Sequence, residues 1–273
     1  MSIQLIASDI DGTFLNDQHD FDHERFQTQL DELNRRHIKF VVASGNQMAH
    51  CQDVFAGING DMTFVAEDGA LTMEQGRILD DNPLKPGLLK DAVEYLATTS
   101  EFKDAEIILS SQHRAFTNMK MDNPEWPMSS YFYSQLTAVD HFNGITDSIY
   151  KIDIHWADKD DVRSQAAMLR RDLGDDLGSV MSGLGGMDIV MPHVTKAYGL
   201  QQLQNLWKVS MDETMAFGDT QNDEAMLQHA RLGYAMKNAE PEALAATDLV
   251  TPLDNNASGV MDMIDRVLSG EIE

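Results

Sequence analysis

Ile3-Gln4-Leu5-Ile6-Ala7-Ser8-Asp9-Ile10-Asp11-Gly12-Thr13-Phe14-Leu15 joins a short apolar run to two carboxylates spaced one residue apart. The run Ile3 to Ala7 reads as a buried strand. Residues i and i+2 of an extended segment point the same way, so Asp9 and Asp11 converge where the strand ends. Gly12 allows a sharp turn. Two anions placed together repel unless a cation sits between them. The segment therefore predicts a cation and phosphate site. The competing reading is a solvated turn whose Asp caps the next helix.

Downstream, strands and helices alternate. An amphipathic helix is expected from Asp22 to Arg36, with Phe26, Leu30 and Leu33 on one stripe. Strands follow at Ile38 to Ala43 and Thr63 to Ala66, with a helix from Gln47 to Phe55 between them. Pro83, Pro86 and Gly87 then mark a break. Beyond it the texture is of paired strands with single helices: strands Glu106 to Ser110, Ala115 to Met119, Ile149 to His155 and near Ser179 to Ser182, a helical stretch after Pro124, and a helix Lys159 to Leu173. Ser182 to Gly186 reads equally as a flexible return or a hairpin turn. The alternating pattern resumes with a helix opening at Thr195-Lys196-Ala197, striped by Leu200, Leu203, Leu206 and Trp207. It continues with strand Thr214 to Phe217, a helix near Glu224 to Ala230, a strand near Leu232 to Ala235 and a closing helix from Ser258 to Leu268. Alternation argues for a parallel sheet with right-handed crossovers. The expected fold class is α/β: one core domain built from 1–82 and 189–273, with an α+β module at 83–188 inserted into it.

Composition narrows the function. The chain has 273 residues, 42% of them apolar, which is enough for real cores. A net charge of -25 argues against a nucleic-acid partner and against an anionic membrane surface. An anionic substrate would need local help from a metal or a few placed cations. Cys51 is the only cysteine, so no intrachain disulfide is possible. It reads as a packing residue and agrees with a cytoplasmic location. No apolar run has the length of a membrane span, and no signal peptide is visible.

Polar clusters follow four strands: Asp9 and Asp11, Ser44 and Asn46, Glu67 and Asp68, and Asp219 to Asp223. In an open parallel sheet the carboxyl ends of strands share one edge, where ligands bind. Carboxylate oxygens without His or Cys favour Mg²⁺ over Zn²⁺. Lys196 stands in the first turn of its helix, where the macrodipole disfavours a cation. It either neutralises a local anion or is simply solvated. Ser44 and the Gly45 N–H can hold phosphate oxygens at a strand-to-helix turn.

These residues resemble the haloacid dehalogenase superfamily of phosphohydrolases, in particular its Cof-type sugar-phosphatase branch. Asp9-Ile10-Asp11-Gly12-Thr13, Ala43-Ser44-Gly45-Asn46, Lys196 and Gly218-Asp219 through Asn222-Asp223 match its four motifs in order. Ala235 to Ala239 is similar to a late family segment. The resemblance implies a Rossmann-like core with a C2-type cap, and a phosphatase working through an aspartyl-phosphate. It implies Asp9 as nucleophile and Asp11 as acid and then base. Ser44, Gly45, Asn46, Lys196 and Asn222 would bind phosphate or substrate. Mg²⁺ would be held by Asp9, the Asp11 carbonyl and Asp219, with Asp223 in support.

Two positions depart from the commonest family pattern. Asn46 stands where many members have Arg, and Ser44 to Gln47 takes a form shared by some sugar-phosphate phosphatases. Asp68 replaces a usual Asn, which either disfavours highly anionic substrates or is only a turn residue. Within the cap, Lys151, His113, Arg114, Trp126, Tyr131 and Tyr133 are candidates for substrate choice. Met119, Met121 and Met128 are candidates for an adaptable pocket or for core filling. The expected partner is a small phosphorylated molecule, acted on by a monomer or weak homodimer. A phosphosugar mutase and a phosphoacceptor signalling module are the competing functions.

Overall fold

A computed structural model describes residues 2–156, 162–183 and 186–273. Two sheets organise the molecule. The first is formed by β1 (Leu5–Ser8), β2 (Lys39–Ala43), β3 (Met62–Ala66), β4 (Leu71–Glu74), β5 (Arg77–Asp81), β12 (Thr214–Gly218), β13 (Leu232–Ala235) and β14 (Leu249–Val250). Its order is β14-β13-β12-β1-β2-β3-β4-β5. The six strands from β14 to β3 run parallel, and β4 and β5 add an antiparallel edge. The second sheet holds β6 (Glu106–Ser111), β7 (Ala115–Thr117), β8 (Leu136–Ala138), β9 (Ile149–His155), β10 (Gly178–Gly183) and β11 (Gly186–Val190), in the order β10-β11-β9-β6-β7-β8. The fold is α/β, with a mainly parallel core sheet and an inserted α+β cap.

The core sheet is apolar on both faces because helices cover both. Ile6, Phe40, Val42, Met215 and Phe217 face α1 (His23–Arg35) and α9 (Gly259–Ser269). Leu5, Ala7, Val41, Val65 and Ala216 face α6 (Lys196–Trp207) and α7 (Glu224–Gln228). Edge-to-face contacts of Phe14 with Phe26 (4.8 Å) and Phe40 (5.8 Å) lock the turn after β1 onto the first face. Register then does the positioning. Ser8 lies opposite Phe217 and Val42, so Asp9, Asp219 and Ser44 leave neighbouring strands at one edge.

Several elements differ from the sequence expectations. Pro86 and Gly87 do not end structure; they open α3 (Pro86–Thr98). Proline is tolerated in a first turn because its missing N–H has no partner there anyway. The β4–β5 hairpin turns at Gln75 and Gly76, both at positive φ (49° and 75°), without the Asn-Gly pair that advertises such turns. Strands β8 and β14 and helix α8 (Pro241–Ala246) are too short to show a period. Leu206 is 56% exposed and does not join Leu200 and Leu203 in the core. The expected helix from Lys159 begins, among the described residues, at Arg163 as α5 (Arg163–Leu173); 159–161 lie outside them. Residues 184 and 185 of the Ser182 to Gly186 stretch also lie outside them, while β10 and β11 on either side pair antiparallel. No described helix is long and apolar enough to cross a membrane.

Candidate active site

The turn after β1 brings Asp9 into contact with residues more than 180 positions away. Lys196 Nζ donates to Asp9 Oδ1 (2.7 Å) and to Asp223 Oδ1 (2.8 Å). Lys196 is 1% exposed and Asp223 fully buried. Thr195 caps α6, its hydroxyl accepting from the Tyr198 N–H, so Lys196 is the first helical residue and is aimed at the sheet edge. Asp223 is committed on both sides, since Oδ2 accepts from the Asp219 and Thr220 N–H groups. Thr13 Oγ1 donates to Asp219 Oδ1 at 2.7 Å. Gly12 lies at φ 71°, and a Cβ there would meet Asp219 Oδ2. The backbone can approach the carboxylate this closely only with glycine.

Asp9, Asp219 and Asp223 offer carboxylate oxygens within 4.8 Å of one another. Burial pushes the Asp9 carboxyl well up; Lys196 opposes this, and Asp223 and Asp219 reinforce it. Burial, then the Asp223 charge, raises Asp219 to about 7. Burial alone would lower the Lys196 ammonium, but the Asp223 and Asp9 charges outweigh it and hold it above its usual range. One ammonium thus stands against three carboxylates. The set is short of positive charge, and its hard oxygen donors suit a divalent cation.

The other expected residues gather unequally. Asp11 lies beside the trio and outside it: its Oδ2 accepts from Asn46 Nδ2 at 2.6 Å, and His19 Nδ1 is 3.7 Å from its Oδ1. Asn46 therefore holds Asp11 rather than joining the trio. Ser44 is buried at the end of β2. Asn222 donates to Asp68 Oδ1 at 3.3 Å, and a Cβ on Gly45 would sit 2.9 Å from that same oxygen. Asp68 thus spans the Ser44–Gly45 turn and Asn222. The segment from Ala235 to Ala239 buttresses the motif turns: Asn238 Nδ2 donates to Gly12 O (2.7 Å), and Met236 N donates to Gly218 O (2.9 Å).

The second sheet lowers a polar face onto this edge. Gln47 is fully buried and pins it, donating to Ser111 O (2.8 Å) and accepting from Ser134 N (2.7 Å). Ser110 donates to Glu67 Oε1 at 2.8 Å. Burial raises Glu67 to about 8 against the pull of Lys151 and Ser110. Lys151 pairs with Asp188 Oδ2 at 3.2 Å, and the Tyr133 hydroxyl donates to Asp153 Oδ2 at 2.6 Å. Of the cap candidates, Lys151 and Tyr133 are thus buried in this seam. Tyr131 packs against His19 and His50. His113 is exposed, Arg114 pairs with Asp147, and Met121 and Met128 are exposed while Met119 is core. A cavity of about 440 Å³ opens from Lys196, Asn222 and Asp68 and is walled by Arg163 and Arg170 of α5. Sequence reasoning missed both arginines, which read locally as solvated charges on an amphipathic helix.

The geometry is a lysine-bridged cluster of carboxylates at the carboxyl edge of a mainly parallel α/β sheet, and comparison with known proteins says which family carries it. The family model for haloacid dehalogenase-like hydrolases matches residues 6–264, and the chain belongs to that family. It is 38% identical over 271 residues to an Escherichia coli protein named 5-amino-6-(5-phospho-D-ribitylamino)uracil phosphatase YbjI, covering 99% of this chain and 98% of that one. A Citrobacter koseri HMP-PP phosphatase is 26% identical over 89% of this chain and 87% of its own length. A solved Streptococcus mutans structure superposes with a TM-score of 0.91 at 31% identity, covering 98% of this chain and all of that one. The chain is an enzyme of the phosphatase class, a phosphoric monoester hydrolase of the Cof type.

Proposed function

We propose that the protein is a Mg²⁺-dependent phosphatase of small phosphomonoesters, sugar phosphates foremost, acting through an aspartyl-phosphate. The observation that carries this reading is the Lys196 bridge between Asp9 and Asp223 with Asp219 alongside. A carboxylate attacks phosphorus only when anion–anion repulsion is relieved. Lys196 supplies part of that relief from this chain. A Mg²⁺ held by Asp9, the Asp11 carbonyl and Asp219, with Asp223 in support, would supply more positive charge between nucleophile and phosphate.

Asp9 attacks the phosphoryl group, and Asp11, oriented by Asn46, gives its proton to the leaving alkoxide. Asp11 then takes a proton from the water that opens the acyl phosphate. Ser44, Gly45, Asn222 and Lys196 hold the phosphoryl oxygens. Residues 1–82 and 189–273 form the catalytic core and 83–188 the cap that covers the leaving group, with the last cap strand, β11, running two residues further, to Val190. The relative named for a ribitylamino-uracil phosphate makes that compound a first substrate to assay. The reading includes a cytoplasmic monomer or weak homodimer, and buried Cys51 is in keeping with a reducing compartment.

The test is phosphate release from a panel of sugar phosphates with Mg²⁺ or with EDTA, for the parent and for Asp9→Asn. The variant is expected to fold and to lose about 10³-fold or more in kcat. Full turnover in Asp9→Asn would remove the nucleophile assignment, and full turnover in EDTA the metal.

A further inference from the structure

Asp68 has no part in the chemistry above, yet it is buried and touches both halves of the molecule. On the core side, Oδ1 accepts from Asn222 Nδ2 at 3.3 Å and lies against Gly45, where a Cβ would stand 2.9 Å away. Asn222 and Gly45 are two of the groups assigned to the phosphoryl oxygens. On the cap side, the Asp68 carboxyl is in hydrogen-bonding contact with that of Asp188 on β11.

Asp188 is equally buried, and its Oδ2 accepts from Lys151 Nζ at 3.2 Å. One oxygen of each carboxyl, Asp68 Oδ2 and Asp188 Oδ1, is left buried and without a donor among the described residues. Two ionised carboxylates can only repel across such a contact, whereas one proton between them makes it a hydrogen bond. The neighbouring cations do not remove that need. Lys151 of β9 is shared among Asp188, Asp153 and Asp68, with the Tyr133 hydroxyl beside it. Glu67, on the same turn as Asp68, draws on Lys151 as well. Lys196 is engaged by Asp9 and Asp223. Arg163 and Arg170 of α5 line the cavity that Asp68 borders, opposite Glu224, and neither donates to Asp68 Oδ2. Burial pushes the Asp188 carboxyl well up; Lys151 opposes this, and Asp153 and Asp68 reinforce it.

We propose that Asp68 and Asp188 share a single proton, and that this carboxyl pair is the latch through which the docked cap positions the Gly45 turn and Asn222. Asp68 is then a positioning residue for phosphate binding, a role that rests on the phosphatase reading above. The proton comes from solvent as the cap docks. With the cap lifted, both carboxyls face water and ionise in the ordinary range. Docked, the pair holds one proton to higher pH. Docking therefore weakens as pH rises above the ordinary carboxylate range, by at most about tenfold per pH unit, and levels off above the raised value.

Asp68→Asn tests this. Asn tolerates the positive φ of 56° at this position, can accept from Asn222, and can donate to Asp188 with no proton to take up. The comparison is made in full chains that both carry Glu67→Gln, which removes the other raised carboxyl of the turn. With Mg²⁺ at about pH 7, the infrared difference spectrum should contain a carboxylic-acid C=O band that Asp68→Asn lacks. Initial rates on the best substrate of the sugar-phosphate panel give the second readout. Relative to Asp68→Asn, the KM of the Asp68 protein should climb about tenfold or more between about pH 5.5 and 8, while the ratio of kcat values stays level. A difference spectrum without the acid band would overturn the shared proton. A KM ratio flat in pH, or a pH dependence carried by kcat instead, would overturn the latch. No phosphate release from any compound of the panel would overturn the phosphatase reading and the positioning role with it, whether or not the band is present.

Discussion

At the scale of single residues, the site is set by charges that cannot all be satisfied. Glu67 is fully buried, and its carboxyl is raised to about 8 by that burial. Below pH 4.5 the folded and unfolded chains both keep this proton. As pH climbs, the unfolded chain ionises first and the folded one resists until about 8. Folding is therefore weakened between those limits, by a few kcal/mol in all, at roughly 1.4 kcal/mol for each pH unit crossed. Glu67→Gln lacks that slope and keeps an acceptor for Ser110. Urea midpoints compared from about pH 5 to 9 should move steadily in the variant's favour, and parallel curves would refute the assignment. Asp9, Lys196 and Asp219 were legible in the sequence because each is polar at the rim of an apolar strand or at a helix start. Glu67 and Asp188 were not readable as buried, because their burial comes from a second sheet docking on them. Arg163 and Arg170 read as solvated charges on an amphipathic helix, since nothing local shows which helix face borders a cavity. Asn46, expected on phosphate or substrate, donates to Asp11, a contact set by side-chain reach and not by spacing.

At the scale of elements, the turn after β3 is the most constrained piece of backbone in the site. Glu67, Asp68 and Gly69 all lie at positive φ, at 53°, 56° and 102°. Two consecutive non-glycine residues in that region, Glu67 and Asp68, are costly and persist only where surroundings impose them. A Cβ on Gly69 would meet the Thr195 carbonyl at the start of α6, so this turn sets how closely Lys196 approaches the sheet. Gly69→Ala is expected to cost about 2–4 kcal/mol, lowering the melting temperature by on the order of 10 °C. A thermal melt within about 1 °C of the parent would show that α6 yields instead. The five parallel strands from β13 to β3 were legible because each is a compact apolar run followed by a polar turn. The elements that escaped were the two-to-five-residue strands β4, β5, β8, β11 and β14, short α8, and α3, whose Pro-Gly start imitates a loop.

At the scale of the whole molecule, both chain ends contribute acid to one edge, and a bound cation should tie them together. Mg²⁺ at about 100 times its dissociation constant would add about 2.7 kcal/mol of stability. Calorimetry should show the melting temperature rising with Mg²⁺ in the parent. Asp219→Asn should remove that rise while melting no lower than the parent in EDTA, because it also removes a buried repulsion. A full Mg²⁺ response in the variant would place the ion elsewhere. The order of the core sheet has a consequence for biogenesis. β1 is flanked by β2 and β12, and its pairing with Thr214–Gly218 spans about 200 residues of chain. At roughly 5–20 residues per second of synthesis, that edge of β1 stays open for on the order of 10–40 s after it leaves the ribosome. The cap strands, all between Glu106 and Val190, pair within a contiguous stretch and can close first. The nascent protein thus carries a finished lid over an unfinished enzyme, with an exposed apolar strand edge that holdase chaperones would be expected to guard.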